Sequence, residues 1–161
     1  MADGEIVISA EKSFTTSSSM SGMGSSAVTT HYHDIITIRL KEDGSLKWNR
    51  NINKRQRGPV STSYSSITVG DTSYFFFNAT EKVKKKKSGK TIFIMKGAFK
   101  KADLYMASVN GKGDIKYKKL IDHENKEVFF EVNRGIANLN KKTVVFSGKR
   151  MKKTRIVKIN L

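Results

Sequence analysis

In the stretch "HYHD", His31 and His33 stand two residues apart, a spacing that sets both imidazoles on one side of an extended chain, with the Asp34 carboxylate beside them. Such a trio has the donor chemistry of a transition-metal site. A different chemistry is written in "KVKKKKSGK", which carries Lys84, Lys85, Lys86, Lys87 and Lys90, and in "GKRMKK", which carries Lys149, Arg150, Lys152 and Lys153. Dense cations of this kind attract phosphate, sulfate or carboxylate groups on a polymer, with an affinity that comes from counterion release and falls with salt. Phe14, Tyr32, Tyr64, Phe93 and Phe99 are the aromatic residues read as available for stacking on bases or sugars.

The competing readings are blander. His123 is the one further histidine, and the position equivalent to "HYHD" in a second copy of the motif reads "KKAD", so a structural role at the start of a strand is preferred to a metal site. "GMGSSA", residues 22–27, matches a dinucleotide fingerprint in letters alone, because no strand precedes it and no helical pattern follows. There is no G-x-S-x-G, and no pair of carboxylates stands out as an acid and a base. "NAT" at Asn78 has the form of a glycosylation sequon but lies in a strand, where a local hydrogen bond is the simpler expectation. The chain is therefore expected not to be an enzyme, and to use no metal or cofactor.

Net charge supports the anion reading. Lys and Arg number 31 against 14 Asp and Glu, giving +17, which exceeds what solubility requires and costs stability through self-repulsion. Absence of cysteine excludes a disulfide scaffold. No apolar block reaches the ~18 residues of a membrane span, so no transmembrane segment is expected. The start "MADGEIVISA" lacks a basic region followed by an apolar stretch, so any signal peptide is expected to be either absent or already removed.

The elements that would position these groups come from a repeat. "DIITIRLKEDGSLKW", beginning at Asp34, returns as "DLYMASVNGKGDIKY" at Asp103, a shift of 69 that also carries Leu40 to Val109, Gly44 to Gly113 and Trp48 to Tyr117. The same shift places Ile6 on Phe75 and Phe75 on Val144, and Ile67 on Ile136. In the third copy, "RIVKINL" matches "DIITIRL" once 17 residues are removed between two strands. Residues 10–33 and 79–102 are accordingly read as long loops inserted in a constant frame, shortened in the third copy to "GKRMKKT".

One unit reads as four strands: A at Ser65–Val69, B at 74–78, C at Asp103–Val109 and D at 114–121, with "GDTS" and "NGKG" as turns. Strand B is apolar on both faces ("IVI", "FFF", "VVF"), the mark of a strand covered on two sides, while strand C alternates. Four-stranded units of this kind are blades of a β-propeller. The expected fold is all-β, a partial β-propeller of about two and a half four-stranded antiparallel blades, with an open β arc or a sandwich as the alternative. The chain forms a single domain, 1–161, with units at 1–60, 61–127 and 128–161, and is read as a piece of a longer protein.

"YHDIITIRLKEDGSLKWNRNINKRQ", "STSYSSITVGDTSYFFFN" and "VVFSGKRMKKTRIVKINL" together resemble the C-terminal part of uncharacterised, secreted, propeller-like proteins of Bacteroidetes-type bacteria. The resemblance implies an upstream portion and an extracytoplasmic or cell-envelope setting, and it transfers no catalytic residue. The Lys-rich second insert departs from it.

In a blade, the B-to-C and D-to-A connections emerge at one end, where they hold 18 basic and 6 acidic residues; the opposite turns hold 4 of each. The function expected is a non-catalytic binding or scaffolding module of the cell envelope that contacts partners through this basic loop face; the alternatives are a protein that binds nucleic acid or an anionic polysaccharide and, well behind both, a metal-dependent enzyme. Expected partners are the remaining blades of a longer chain, another protein, a second copy joined through edge strands, or an anionic polymer.

Overall fold

The computed structural model describes residues 4–19, 26–58, 63–84, 89–96, 102–122, 124, 128–150 and 152–161. The first unit supplies β1 (Ile6–Ser19), β2 (Ser26–Leu40), β3 (Leu46–Ile52) and β4 (Lys54–Arg57). The second supplies β5 (Ser65–Val69), β6 (Thr72–Ala79), β7 (Glu81–Lys84), β8 (Thr91–Lys96), β9 (Asp103–Val109) and β10 (Ile115–Ile121). The third supplies β11 (Phe129–Phe130), a 3-10 turn at Val132–Arg134, β12 (Ile136–Asn138), β13 (Thr143–Arg150) and β14 (Lys153–Asn160). The protein is all-β, and none of its three sheets closes on itself. Among the described residues no helix is long and apolar enough to cross a membrane.

The second sheet is a four-stranded antiparallel meander, β5-β6-β9-β10, the strand order of a propeller blade. Its turn between β9 and β10 repeats the backbone hydrogen bonds of the turn between β2 and β3. Gly44 N–H donates to Lys41 O at 2.9 Å and Gly113 N–H to Asn110 O at 2.8 Å, 69 residues on, with φ of 79° and 84° at the two glycines. A side chain is strained in that left-handed conformation, so glycine is what lets each strand C return as strand D.

Strand β6 is covered on both faces. Phe75 and Phe77 face the first sheet, where they meet Ile35, Trp48, Ile52 and Phe93. Phe76 faces the third sheet, with Ile67 and Leu104 beside it and Val144 and Phe146 opposite. The Phe77 and Phe93 rings meet edge to face at 4.9 Å, and Phe76 and Phe146 lie 5.1 Å apart. Each such ring taken out of water contributes about 1.5–3 kcal/mol, which makes β6 the seam of the stack.

The inserts differ from expectation. Residues 10–33 contain no long loop among those described: β1 and β2 stay paired from Ile6↔Leu40 to Ser19↔Ser26, because Thr, Val and aromatic residues continue the alternation and each strand satisfies the other's backbone groups. Within 79–102, β7 and β8 form a hairpin that joins the first sheet, β8 lying parallel to β4 with Lys54↔Phe93 and Arg57↔Lys96 in register. The first sheet is therefore six-stranded, with one parallel pair, where three antiparallel strands were expected. Burial of Ile92, Phe93 and Met95 drives this docking.

A second difference lies at Trp48. The gapless repeat equates Trp48 with Tyr117, but a register shift beside Leu40 pairs Trp48 with Arg39, whereas Tyr117 pairs with Ala107. One displaced residue reverses the face. Trp48 thus turns inward and donates its indole N–H to Gly111 O at 3.1 Å, tying the first sheet to the second.

Candidate functional site

Alternation along β4 and the neighbouring part of β2 builds a cationic cleft. On β4, "KRQR", Lys54 and Gln56 are buried while Arg55 and Arg57 are exposed. On β2, Tyr32 is buried and His31 pairs with Arg57. A bulge where β1 shifts between Glu11 and Ser13 sets three steps of β2 against two of β1, so Tyr32 and Ile35 both point inward and His33 is re-aimed beside His31. The cleft, about 410 Å³, is lined by His31, His33, Arg55, Gln56, Arg57, Ile94 and Met95. Among the described residues no carboxylate lines it.

Phe14, on β1, pairs with His31 and stacks on its ring at 4.7 Å, with planes 6° apart, and meets His33 edge-on at 4.9 Å. The Thr16 hydroxyl lies 2.9 Å from His31 Nε2. Burial holds the His33 imidazole below its ordinary value; Asp34 opposes this, and Arg55, His31 and Lys12 reinforce it. His33 is thus a neutral hydrogen-bonding group near neutral pH, flanked by two permanent cations.

The metal trio is not assembled. The Asp34 carboxylate accepts from Lys54 N–H at 3.1 Å and from the Asn51 amide at 3.3 Å, outside the residues lining the cleft. His31 and His33 have ring centroids 6.1 Å apart with planes nearly perpendicular, and the described residues hold no group of three or more metal-ligating side chains. His123 lies outside the described residues, as does most of "GMGSSA".

A second cleft of about 460 Å³ opens at the other end of the first two sheets, lined by Glu5, Arg39, Lys47, Gly70, Asp71, Gly111 and Lys112. Two of its three cations are already engaged: Arg39 Nε donates to Glu5 Oε2 at 2.6 Å and Nη1 to Asp71 O, and Lys47 also pairs with Glu5, while Lys112 is exposed at the rim. A hydrogen bond from Lys47 holds the Glu5 carboxyl below its ordinary value, assisted by Arg39 and opposed by burial. Glu5 thus neutralises cations of the first sheet here, and Arg39 ties that sheet to the second through the Asp71 carbonyl, which makes this end a poorer anion site than the cleft of Arg55 and Arg57.

Of the cations singled out in the sequence, Lys85, Lys86 and Lys87 lie outside the described residues. Lys84 ends β7, Lys90 is exposed just before β8, and Arg150 ends β13. Lys149, Lys152 and Lys153 are exposed at the β13–β14 hairpin. Because β4 is antiparallel to β2 and β8 parallel to β4, Lys84 and Lys90 stand at the opposite end of the first sheet from the Ser19↔Ser26 pair. The two lysine groups belong to different sheets, the first and the third.

Of the aromatic residues, Phe14 alone is substantially open, at 40%. Tyr32 and Phe93 are buried in packing, Tyr64 is half-buried, and Phe99 lies outside the described residues. Asn78 is buried and donates its side-chain amide to Phe130 O at 2.8 Å, bridging to the third sheet instead of bonding locally. Arg55 and Arg57 were overlooked in the sequence, although the period-2 pattern of "KRQR" was the available signal. Comparison of the chain with protein-family models, with curated proteins and with solved structures finds no match.

Proposed function

We propose that the protein is a non-catalytic binding module of the cell envelope whose ligand is an anionic polymer, gripped at the cleft between β2 and β4. The observation that carries this reading is the outward projection of Arg55 and Arg57 beside His31 and His33, with no carboxylate among the described residues that line the cleft. Two guanidinium forks present flat, paired donors suited to phosphate or sulfate, and the open side of Phe14 offers a surface for a ring. Lys90, Lys149 and Lys152 add long-range attraction as part of a +17 chain. The envelope setting rests on the resemblance of the repeat units.

Retention on immobilised heparin tests the reading. The wild type should bind at low salt and elute as salt rises, and Arg55→Glu with Arg57→Glu should elute much earlier. Lys116→Glu with Lys118→Glu, an equal charge change at exposed positions of β10, is the control. Equal losses in both double variants would mean that diffuse charge, and not the cleft, holds the polymer.

A further inference from the structure

Both outer faces of the three-sheet stack carry exposed apolar side chains, continuous on the first sheet and interspersed with Lys149 and Lys158 on the third, and the repeat says what each is shaped to meet. On the second sheet, Ile67, Phe76 and Leu104 are buried against the third. Their counterparts on the third sheet are Ile136 and Val145, 69 residues on, and Ile156, matched through "RIVKINL". Ile136 is 74% exposed, Ile156 is 76% exposed, and Val145 is half-buried. At the other end, Phe75 and Phe77 of the second sheet are buried against the first, while their counterparts Ile6 and Ile8 are 51% and 50% exposed. Ile6 and Ile8 at one end, and Ile136, Val145 and Ile156 at the other, thus repeat apolar core positions on the outer faces of this stack, while Val69, Tyr74 and Met106 recur on the third sheet as Asn138, Thr143 and Lys158.

We infer that these outer faces are mating surfaces, and that a second copy of this chain occupies them, its first sheet seated on the third sheet of the other copy and the reverse. Each contact would continue the interface already present twice inside the chain, between the first and second sheets and between the second and third. Three sheets from each copy make six, inside the range of about 4–8 over which stacked blades close. Two copies joined head to tail by the same contact twice form a closed, two-fold assembly. Three strands about 4.8 Å apart and about six residues long give a face of roughly 300 Å², so four such faces bury on the order of 1,200 Å², the lower bound for stable association. Because both copies are strongly basic, salt should strengthen this apolar contact by screening their repulsion, the reverse of its effect on heparin binding.

The test is sedimentation velocity with light scattering over a range of protein concentration, at low and raised salt. The expected species has twice the 18.1 kDa chain mass and is favoured by salt. Ile6→Asp and Ile156→Asp change exposed side chains, and each alone should give a monomer whose circular dichroism is unchanged. Mixing the two variants leaves one contact wholly native and should restore a dimer. A wild type that stays monomeric at every salt overturns the inference and points to blades supplied by another polypeptide. A dimer that survives Ile156→Asp overturns it too, as does an open ladder of copies. Should a variant misfold, amide exchange along β14 in the wild type decides the matter: protection must rise with protein concentration.

Discussion

Lys54 and Glu11 are ion-paired on the face of the first sheet turned towards the second, and Lys54 has no exposed surface. Lys54 also donates to Gln56 Oε1 at 2.5 Å, and the Ser63 hydroxyl donates to Glu11 Oε2 at 2.5 Å. Burial pulls the Lys54 pKa down, and Glu11 and Asp34 oppose that pull. Glu11→Ala would leave the ammonium buried without its counter-charge, so the expected loss is roughly 3–5 kcal/mol in urea unfolding. Lys54→Met with Glu11→Leu should lose much less, since both desolvation costs vanish together. The pH dependence follows from the depressed lysine: the unfolded chain holds that proton more tightly, so this group makes stability rise as pH climbs from the folded value towards the ordinary 10.5. If the double variant were no better than Glu11→Ala, the cost would lie in packing and not in charge.

Gly44 and Gly113 separate backbone strain from side-chain crowding. Both have positive φ, so alanine at either costs roughly 1–2 kcal/mol. At Gly44 an added Cβ meets nothing within 4 Å, whereas at Gly113 it would come within 2.9 Å of the Arg50 guanidinium and 3.0 Å of the Trp48 ring. Arg50 Nε donates to Gly113 O at 2.6 Å, so the same turn also anchors the first sheet to the second. Gly113→Ala should therefore destabilise more than Gly44→Ala and should alone shift the emission of Trp48, the single tryptophan of the chain. Identical denaturation midpoints and spectra for the two variants would show that the inter-sheet contact at Gly113 carries no weight.

What the sequence made legible is the part governed by local pattern. Ser65–Val69 and Asp103–Val109 were delimited to the residue, because glycine turns and alternation mark them directly. The paired extension of β1 and β2 was hidden by its serine-rich letters: "FTTSSS" reads as a loop until its partner "SAVTTHYHD" is known to lie beside it. The parallel pairing of β4 with β8 joins segments far apart in sequence and leaves no periodic trace, so the cleft it walls could not be foreseen. His31 and His33 drew notice as ligands, yet the bulge and the neighbouring Arg55 and Arg57 give them a different chemistry.

The His33 imidazole supplies the sharpest test of that chemistry. Burial keeps it below the ordinary 6.5; Asp34 opposes, and Arg55, His31 and Lys12 act with burial, while the Phe14 ring adds no charge. In the free protein the unfolded chain is protonated first as pH falls through 6.5, so stability drops between that value and the folded pKa. An anion seated in the cleft adds negative charge beside His33 and raises its pKa, so binding takes up a proton. The salt needed to elute the protein from heparin should accordingly increase between about pH 7.5 and about pH 5.5. In His33→Asn the increase should shrink while binding at the higher pH stays close to wild type, because Arg55 and Arg57 remain. Isothermal titration in two buffers of different ionisation enthalpy measures the proton uptake directly. An uptake that is unchanged in His33→Asn would place the titrating group elsewhere and remove His33 from the site.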